Sequence, residues 1–158
     1  MTTIRTMRES DFAWVLALSA ENEVETSHLD VESLRAMMAD AFVANVVEPD
    51  AGYLLVFDER AAYQSVNYLW FRERHRRFAY VDRIVISAVA RGRGLARAFY
   101  ENLFAKARAA GHDMVCCEVN LDPPNPGSDA FHARLGFSEA GRATLPNGKT
   151  VRYMTVAL

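Results

Sequence analysis

Cysteine is scarce in this sequence: Cys116 and Cys117, side by side, are the only two in 158 residues. A disulfide between neighbours is rarely possible, because the bond needs converging Cβ vectors and Cα atoms roughly 4.4–6.8 Å apart. The pair is not a CxxC, and on a strand its side chains point to opposite faces, so both read as small buried apolar groups. His28, His75 and His112 show no metal-ligand spacing with one another or with the cysteines, so no metal is expected. Positive charge is not in excess either. The formal net charge is −2, which leaves no general footprint for nucleic acid. The one basic run, Arg72 to Arg77, reads as a solvated hairpin turn, the alternative being a patch for an acidic partner or for a ligand's phosphate. No stretch approaches the ~20 apolar residues that a membrane span requires. No basic segment joins a long apolar one near Met1, so no signal peptide is read and the cytoplasm is the expected compartment.

What is present is a chain that is 51% apolar, without internal repeat, low-complexity tract or linker, which fits one compact domain over residues 1–158. Periodicity predicts a short strand at 3–7, a helix at 11–22 and a second helix at 31–47. Strands are expected at 52–57, 63–71 and 78–86, the last two joined by the basic hairpin. Leu95, Phe99 and Leu103 repeat every four residues and predict a helix over 94–109. A strand at 114–121 stops at the proline-rich 122–127, a short helix covers 128–135, and two strands close the chain near 137–143 and 150–156 around an Asn147-Gly148 turn. The order βααβββαβαββ contains one strand–helix–strand crossover within a meander. It predicts an α/β (α+β) fold with a mixed, mostly antiparallel sheet of about seven strands and helices on both faces.

Chemistry concentrates in two stretches. In the first, an apolar strand ends at Ile86, Gly92 and Gly94 permit a tight path, and a helix starts at once. Backbone N–H groups at such a start lack intrahelical partners and, with the helix dipole, form a site for a phosphate or pyrophosphate. Arg91 and Arg93 add charge there. It is not a Walker A loop, since no Gly-Lys-Ser/Thr follows, and the dinucleotide-binding GxGxxG is incomplete. An ordinary strand-to-helix turn, or a nucleotide-phosphate binder, are the other readings of this stretch alone. The second stretch is Asn125-Pro126-Gly127-Ser128, followed by Phe131-His132 and then Gly136-Phe137.

Together the two stretches resemble the GNAT acetyltransferase superfamily, which carries Arg/Gln-x-x-Gly-x-Gly/Ala after its fourth strand and Asn-x-x-Ala-x-x-Phe-Tyr-x-x-x-Gly-Phe farther on. Arg91, Gly94 and Ala96 fit the first pattern; Asn125, Ser128 (for Ala), Phe131, Gly136 and Phe137 fit the second. The resemblance implies acetyl-CoA as co-substrate and a parallel, splayed pair at strands four and five. The CoA arm would lie along the backbone of Ile84, Val85 and Ile86, and the pyrophosphate on the N–H groups of Gly92, Arg93, Gly94, Leu95 and Ala96. Asn125 would contact the CoA arm, with Ser128 and Phe131 beside it. His132 stands where the family places a tyrosine acid for the leaving thiolate; packing beside the cofactor is its plainer role.

An amine acceptor arrives as an ammonium and needs a base, for which Glu118 and Asp82 are the candidates. By alternation Tyr80, Asp82, Ile84 and Ile86 share one strand face, and Cys116, Glu118 and Asn120 one face of the next strand. An ion pair or an outward position would explain either carboxylate without catalysis. Glu21, Glu23 and Glu25 are further candidates for binding a cationic acceptor. The expected activity is therefore acetyl transfer from acetyl-CoA to an amine, the alternative being a non-catalytic acyl-CoA-binding module. Neither nucleic acid nor membrane is an expected partner. The chain would be a monomer or a homodimer, with strand 150–156 available to pair across a dimer.

Overall fold

Leu95, Phe99, Leu103 and Ala107 recur at helical spacing, and all four are buried along one stripe of the longest helix. The computed structural model describes residues 3–22 and 28–158. Within them run β1 (Ile4–Thr6), α1 (Phe12–Glu21), α2 (Val31–Asp40), β2 (Val43–Val47), β3 (Gly52–Asp58) and α3 (Val66–Arg72). Then come β4 (Phe78–Ile86), α4 (Leu95–Ala109), β5 (Met114–Asp122), α5 (Pro126–Arg134), β6 (Ser138–Thr144) and β7 (Thr150–Ala157). The sheet has seven strands in the order β1-β2-β3-β4-β5-β7-β6, antiparallel everywhere except between β4 and β5. One face packs against α4 and α5 through Ala79, Val81, Val115, Cys117 and Val119. The opposite face carries α1 and α2 over Val46, Tyr53 and Leu55, and α3 over Phe78, Tyr80 and Cys116. The two cysteines therefore do point to opposite faces, each buried and free.

The expected strand count is right, but one member differs. Residues 63–71 do not form a strand: Val66–Arg72 is a helix, so the basic run that follows turns into β4 and makes no hairpin. The segment is rich in β-formers, but burial decides otherwise. Tyr68 and Phe71, three apart, are fully buried while Val66 is 55% exposed, a helical and not an alternating pattern. The expected helix over 31–47 ends at Asp40, and Val43–Val47 forms β2 in its place. Its β-branched residues fit a strand buried along its whole length. β7 lies between β5 and β6, so it has no free edge with which to pair across a dimer. No described helix is long and apolar enough to cross a membrane.

The placement of α3 gives a direct test. Phe71→Ala should cost about 3–5 kcal/mol, the usual loss for a buried aromatic. Val66→Ser should stay within about 0.5 kcal/mol of the parent protein. Urea unfolding of the two variants reads both values, and equal losses would contradict a helix with Val66 on its outer side.

Candidate active site

β4 and β5 pair at only three positions, Phe78 with Met114, Ala79 with Val115 and Tyr80 with Cys116. Beyond them the strands part, while β3 and β7 continue to hold their outer sides. The pairing of β4 with β3 also shifts register: Val56 faces Val81, Leu55 faces Arg83, and Asp82 is the extra residue of a bulge. The bulge reverses the alternation. Tyr80 packs toward α3, whereas Ile84 and Ile86 pack toward α4, so the expectation that Tyr80, Asp82, Ile84 and Ile86 share a face does not hold. A cleft of about 860 Å³ opens where the strands diverge, lined by β4 from Val81 to Ile86 and by β5 from Cys117 to Asn120.

At one end of this cleft the chain leaves β4 at Ser87, makes a short turn at Ala88–Ala90 and enters α4. Gly92 and Gly94 have φ of 80° and 75°, the left-handed region that costs other residues most, and Gly94 is the N-cap of α4. Nothing stands within 4 Å of a Cβ built on either glycine. An anion can therefore approach the backbone N–H groups of the first turn closely. Arg91 lines the cleft and reaches toward Asn22, 3.4 Å away. Asn125 caps α5: its Oδ1 accepts from the Ser128 N–H at 3.3 Å, with Pro126 next in the first turn.

The two carboxylates singled out in the sequence both line the cleft, in different company. Asp82 Oδ1 accepts from the Tyr63 hydroxyl at 2.7 Å, and Oδ2 accepts from Arg83 Nε at 2.9 Å. The Asp82 and Arg83 side chains are 7% and 4% exposed, a buried ion pair. Among the described residues, no such cation hydrogen-bonds Glu118. It accepts from the Tyr80 hydroxyl at 2.8 and 2.9 Å and from Asn67 Nδ2 at 3.0 Å. Burial, with the neighbouring Asp82 charge, pushes its carboxyl up to about 8, while the two donors favour the ionised form.

His132, on α5, is 5% exposed and also lines the cleft. Its Nδ1 lies 2.8 Å from the Ser128 carbonyl oxygen, which can only accept, so the ring proton sits on Nδ1. Nε2 is then the acceptor for the Tyr100 hydroxyl at 2.8 Å. Burial pushes the imidazole below its ordinary value, which favours this neutral form. Tyr100 and Asn67 were not singled out in the sequence. Tyr100 is one apolar-stripe residue among several on α4, and Asn67 lies in the segment read as a strand.

Among the other sequence candidates, Glu21 ends α1, and Glu23 and Glu25 lie outside the described residues. His112 stands at the far end of the sheet, with Nε2 3.3 Å from Asp58 Oδ2 and 3.4 Å from Glu59 Oε2.

The chain belongs to the acetyltransferase (GNAT) family, whose model matches residues 14–137. Solved structures agree on the fold. Ard1 from Thermoplasma volcanium is 15% identical with a TM-score of 0.78, covering 99% of this chain and 97% of that one. A ribosomal-protein-alanine N-acetyltransferase from Brucella melitensis is 21% identical with a TM-score of 0.73, covering 99% of each chain. The putative acetyltransferase yncA from Salmonella typhimurium, solved with its cofactor acetyl-CoA, is 17% identical with a TM-score of 0.72, covering 100% of this chain and 94% of that one. A search of curated proteins returned no match. Family and fold together support acetyl transfer from acetyl-CoA.

The open approach at Gly94 yields a prediction. Gly94→Asp places a carboxylate where the pyrophosphate would lie, and like charges so placed cost several kcal/mol. The affinity for CoA, read by calorimetry, should fall at least ~10-fold. The variant should remain folded, because the new side chain meets nothing within 4 Å and the left-handed backbone costs an aspartate only about 1–2 kcal/mol. An affinity within about twofold of the parent would mean the phosphates bind elsewhere.

Proposed function

We propose that this chain, acting as a single domain, transfers the acetyl group of acetyl-CoA to a primary amine by direct attack in a ternary complex. The observation that carries this reading is Glu118, a carboxylate with raised proton affinity in the wall of the cleft that opens between β4 and β5. Acetyl-CoA supplies a thioester whose carbonyl carbon takes the amine and whose thiolate departs.

The residues present fit that co-substrate. The edge of β4 that faces away from β3 has no ladder partner on β5 beyond Tyr80, so the backbone of Ile84, Val85 and Ile86 is available to an extended amide-bearing arm. A backbone N–H there would also stabilise charge developing on the carbonyl oxygen. Residues 92–96 offer the anion site, and Asn125 and Ser128 line the cleft from the α5 side, while Phe131 packs behind them against Tyr100.

Glu118 takes a proton from the ammonium acceptor, directly or through water, and frees the nitrogen lone pair. With its carboxyl near 8, it matches an amine better than an ordinary glutamate does. Asp82, held by Arg83 and Tyr63, acts through its charge to keep that affinity high. The departing thiolate is met by the His132–Tyr100 pair. Neutral His132 holds the Tyr100 hydroxyl through Nε2, and that hydroxyl turns to hydrogen-bond the sulfur, which takes its proton from water.

A thiol-release assay over a panel of primary amines tests this reading. The base works only when ionised, so kcat/KM should rise with pH through about 8 and level off above it. Glu118→Gln should remove that limb and lower kcat by ~10²–10⁴-fold. His132→Ala should lower kcat with little change in acetyl-CoA affinity. Acetyl-CoA binding with no thiol release from any amine would favour the non-catalytic acyl-CoA-binding module.

A further inference from the structure

The geometry points to Asn67 as the positioning residue for Glu118, its side-chain amide set by Tyr153 so that an N–H meets the carboxylate. This rests on the reading of Glu118 as the base. Asn67 sits on α3, and its Nδ2 donates to Glu118 Oε1 at 3.0 Å. On the other side of the amide, Oδ1 accepts from the Tyr153 hydroxyl at 2.8 Å. The amide is thus held at both ends, and its orientation is the one an ionised Glu118 requires, because a carboxylate can only accept.

Tyr153 is itself rigid. Its ring stacks on Trp70 of the same helix, with centroids 4.2 Å apart and an interplanar angle of 17°, and meets Phe71 edge-on at 5.3 Å. Trp70 is in turn backed by Gly141 on β6, where an added Cβ would come within 2.5 Å of the indole. A chain of fixed contacts therefore runs from the sheet edge through Trp70 and Tyr153 to Asn67, and ends on the carboxylate.

Among the described residues Asn67 is the donor to Glu118 that comes from outside the sheet, since Tyr80 belongs to β4. Two donors from different directions fix both the carboxylate's plane and the oxygen left for an acceptor amine. The N–H also favours the ionised form, opposing the burial and the Asp82 charge that favour the proton. Asp82, paired with Arg83, is the charged group facing Glu118 from β4. Tyr80 on β4, Tyr153 on β7 and Cys117 on β5 have their own pKa values raised, and stay neutral while Glu118 titrates.

The test is the titration of Glu118 itself, followed by its ¹³C carboxyl shift and assigned by loss of the signal in Glu118→Gln, beside the kcat/KM profile. Asn67→Ala removes the donor, and the midpoint should move up by about one pH unit, with acetyl-CoA affinity unchanged. Asn67→Asp, nearly the same shape, sets a second carboxylate beside the first and should move it further up. Tyr153→Phe should move it in the same direction by less. This last variant keeps the ring stack, and so serves if Asn67→Ala fails to fold. An unchanged midpoint in folded Asn67→Asp and Tyr153→Phe would overturn the inference, leaving Asn67 a packing residue. If the midpoints shift but Glu118→Gln keeps full turnover, Asn67 sets the Glu118 carboxylate and the assignment of Glu118 as base fails. If Glu118→Gln is inactive and the midpoints stay fixed, that assignment stands and the role of Asn67 is lost.

Discussion

Everything distinctive in this structure depends on β4 and β5 pairing briefly and then separating. Three residue pairs join them, and past Tyr80 and Cys116 the ladder stops. A parallel pair in the middle of a sheet is ordinarily buried on both sides and continuous. Here the bulge at Asp82 turns β4 away while β3 keeps hold of its other edge. β5 remains fastened to β7 through Asp122, so the two central strands cannot close again. The separation exposes a strip of backbone, aims the end of β4 at the first turn of α4, and lets solvent reach Glu118 inside an otherwise apolar layer.

That wedge contains two acidic side chains, and the fold treats them differently. A buried carboxylate needs compensation, and Asp82 obtains it from Arg83 and the Tyr63 hydroxyl. Among the described residues Glu118 receives neutral donors, Tyr80 and Asn67, and it also faces the Asp82 charge. Its proton affinity rises accordingly. On the proposed reading Asp82 serves the structure and Glu118 the proton transfer. His132 follows the same logic with the opposite sign. Burial disfavours its charged form, and Ser128 and Tyr100 fix which nitrogen carries the proton.

The sequence made the frame legible where a local rule was strong. The four-residue spacing of Leu95, Phe99 and Leu103 located α4, and the glycines with Arg91 marked the tight turn that enters it, because both signals lie within a dozen residues. Resemblance pointed to α5, from which Ser128 and His132 line the cleft beside Asn125. Segment 63–71 was misread because Tyr63, Tyr68, Trp70 and Phe71 favour strands intrinsically, while the burial of Tyr68 and Phe71 against the sheet, which decides the matter, is a tertiary fact. The Val43–Val47 strand was absorbed into the preceding helix because no glycine or proline separates them. The bulge carries no local signature, so the alternation drawn through Tyr80, Asp82 and Ile84 slipped by one. Asn67 and Tyr100 act through partners 51 and 32 residues away, a distance that no periodicity reports.

The central claim is that the parting of β4 and β5 is where acetyl-CoA binds. Amide hydrogen exchange with and without acetyl-CoA tests it most directly, since backbone groups that gain partners exchange more slowly. The account predicts new protection in two segments, β4 beyond Asp82 and the first turn of α4 at residues 92–96, with β1, β2 and β6 unaffected. Protection confined to other segments, or none at saturating acetyl-CoA, would contradict it.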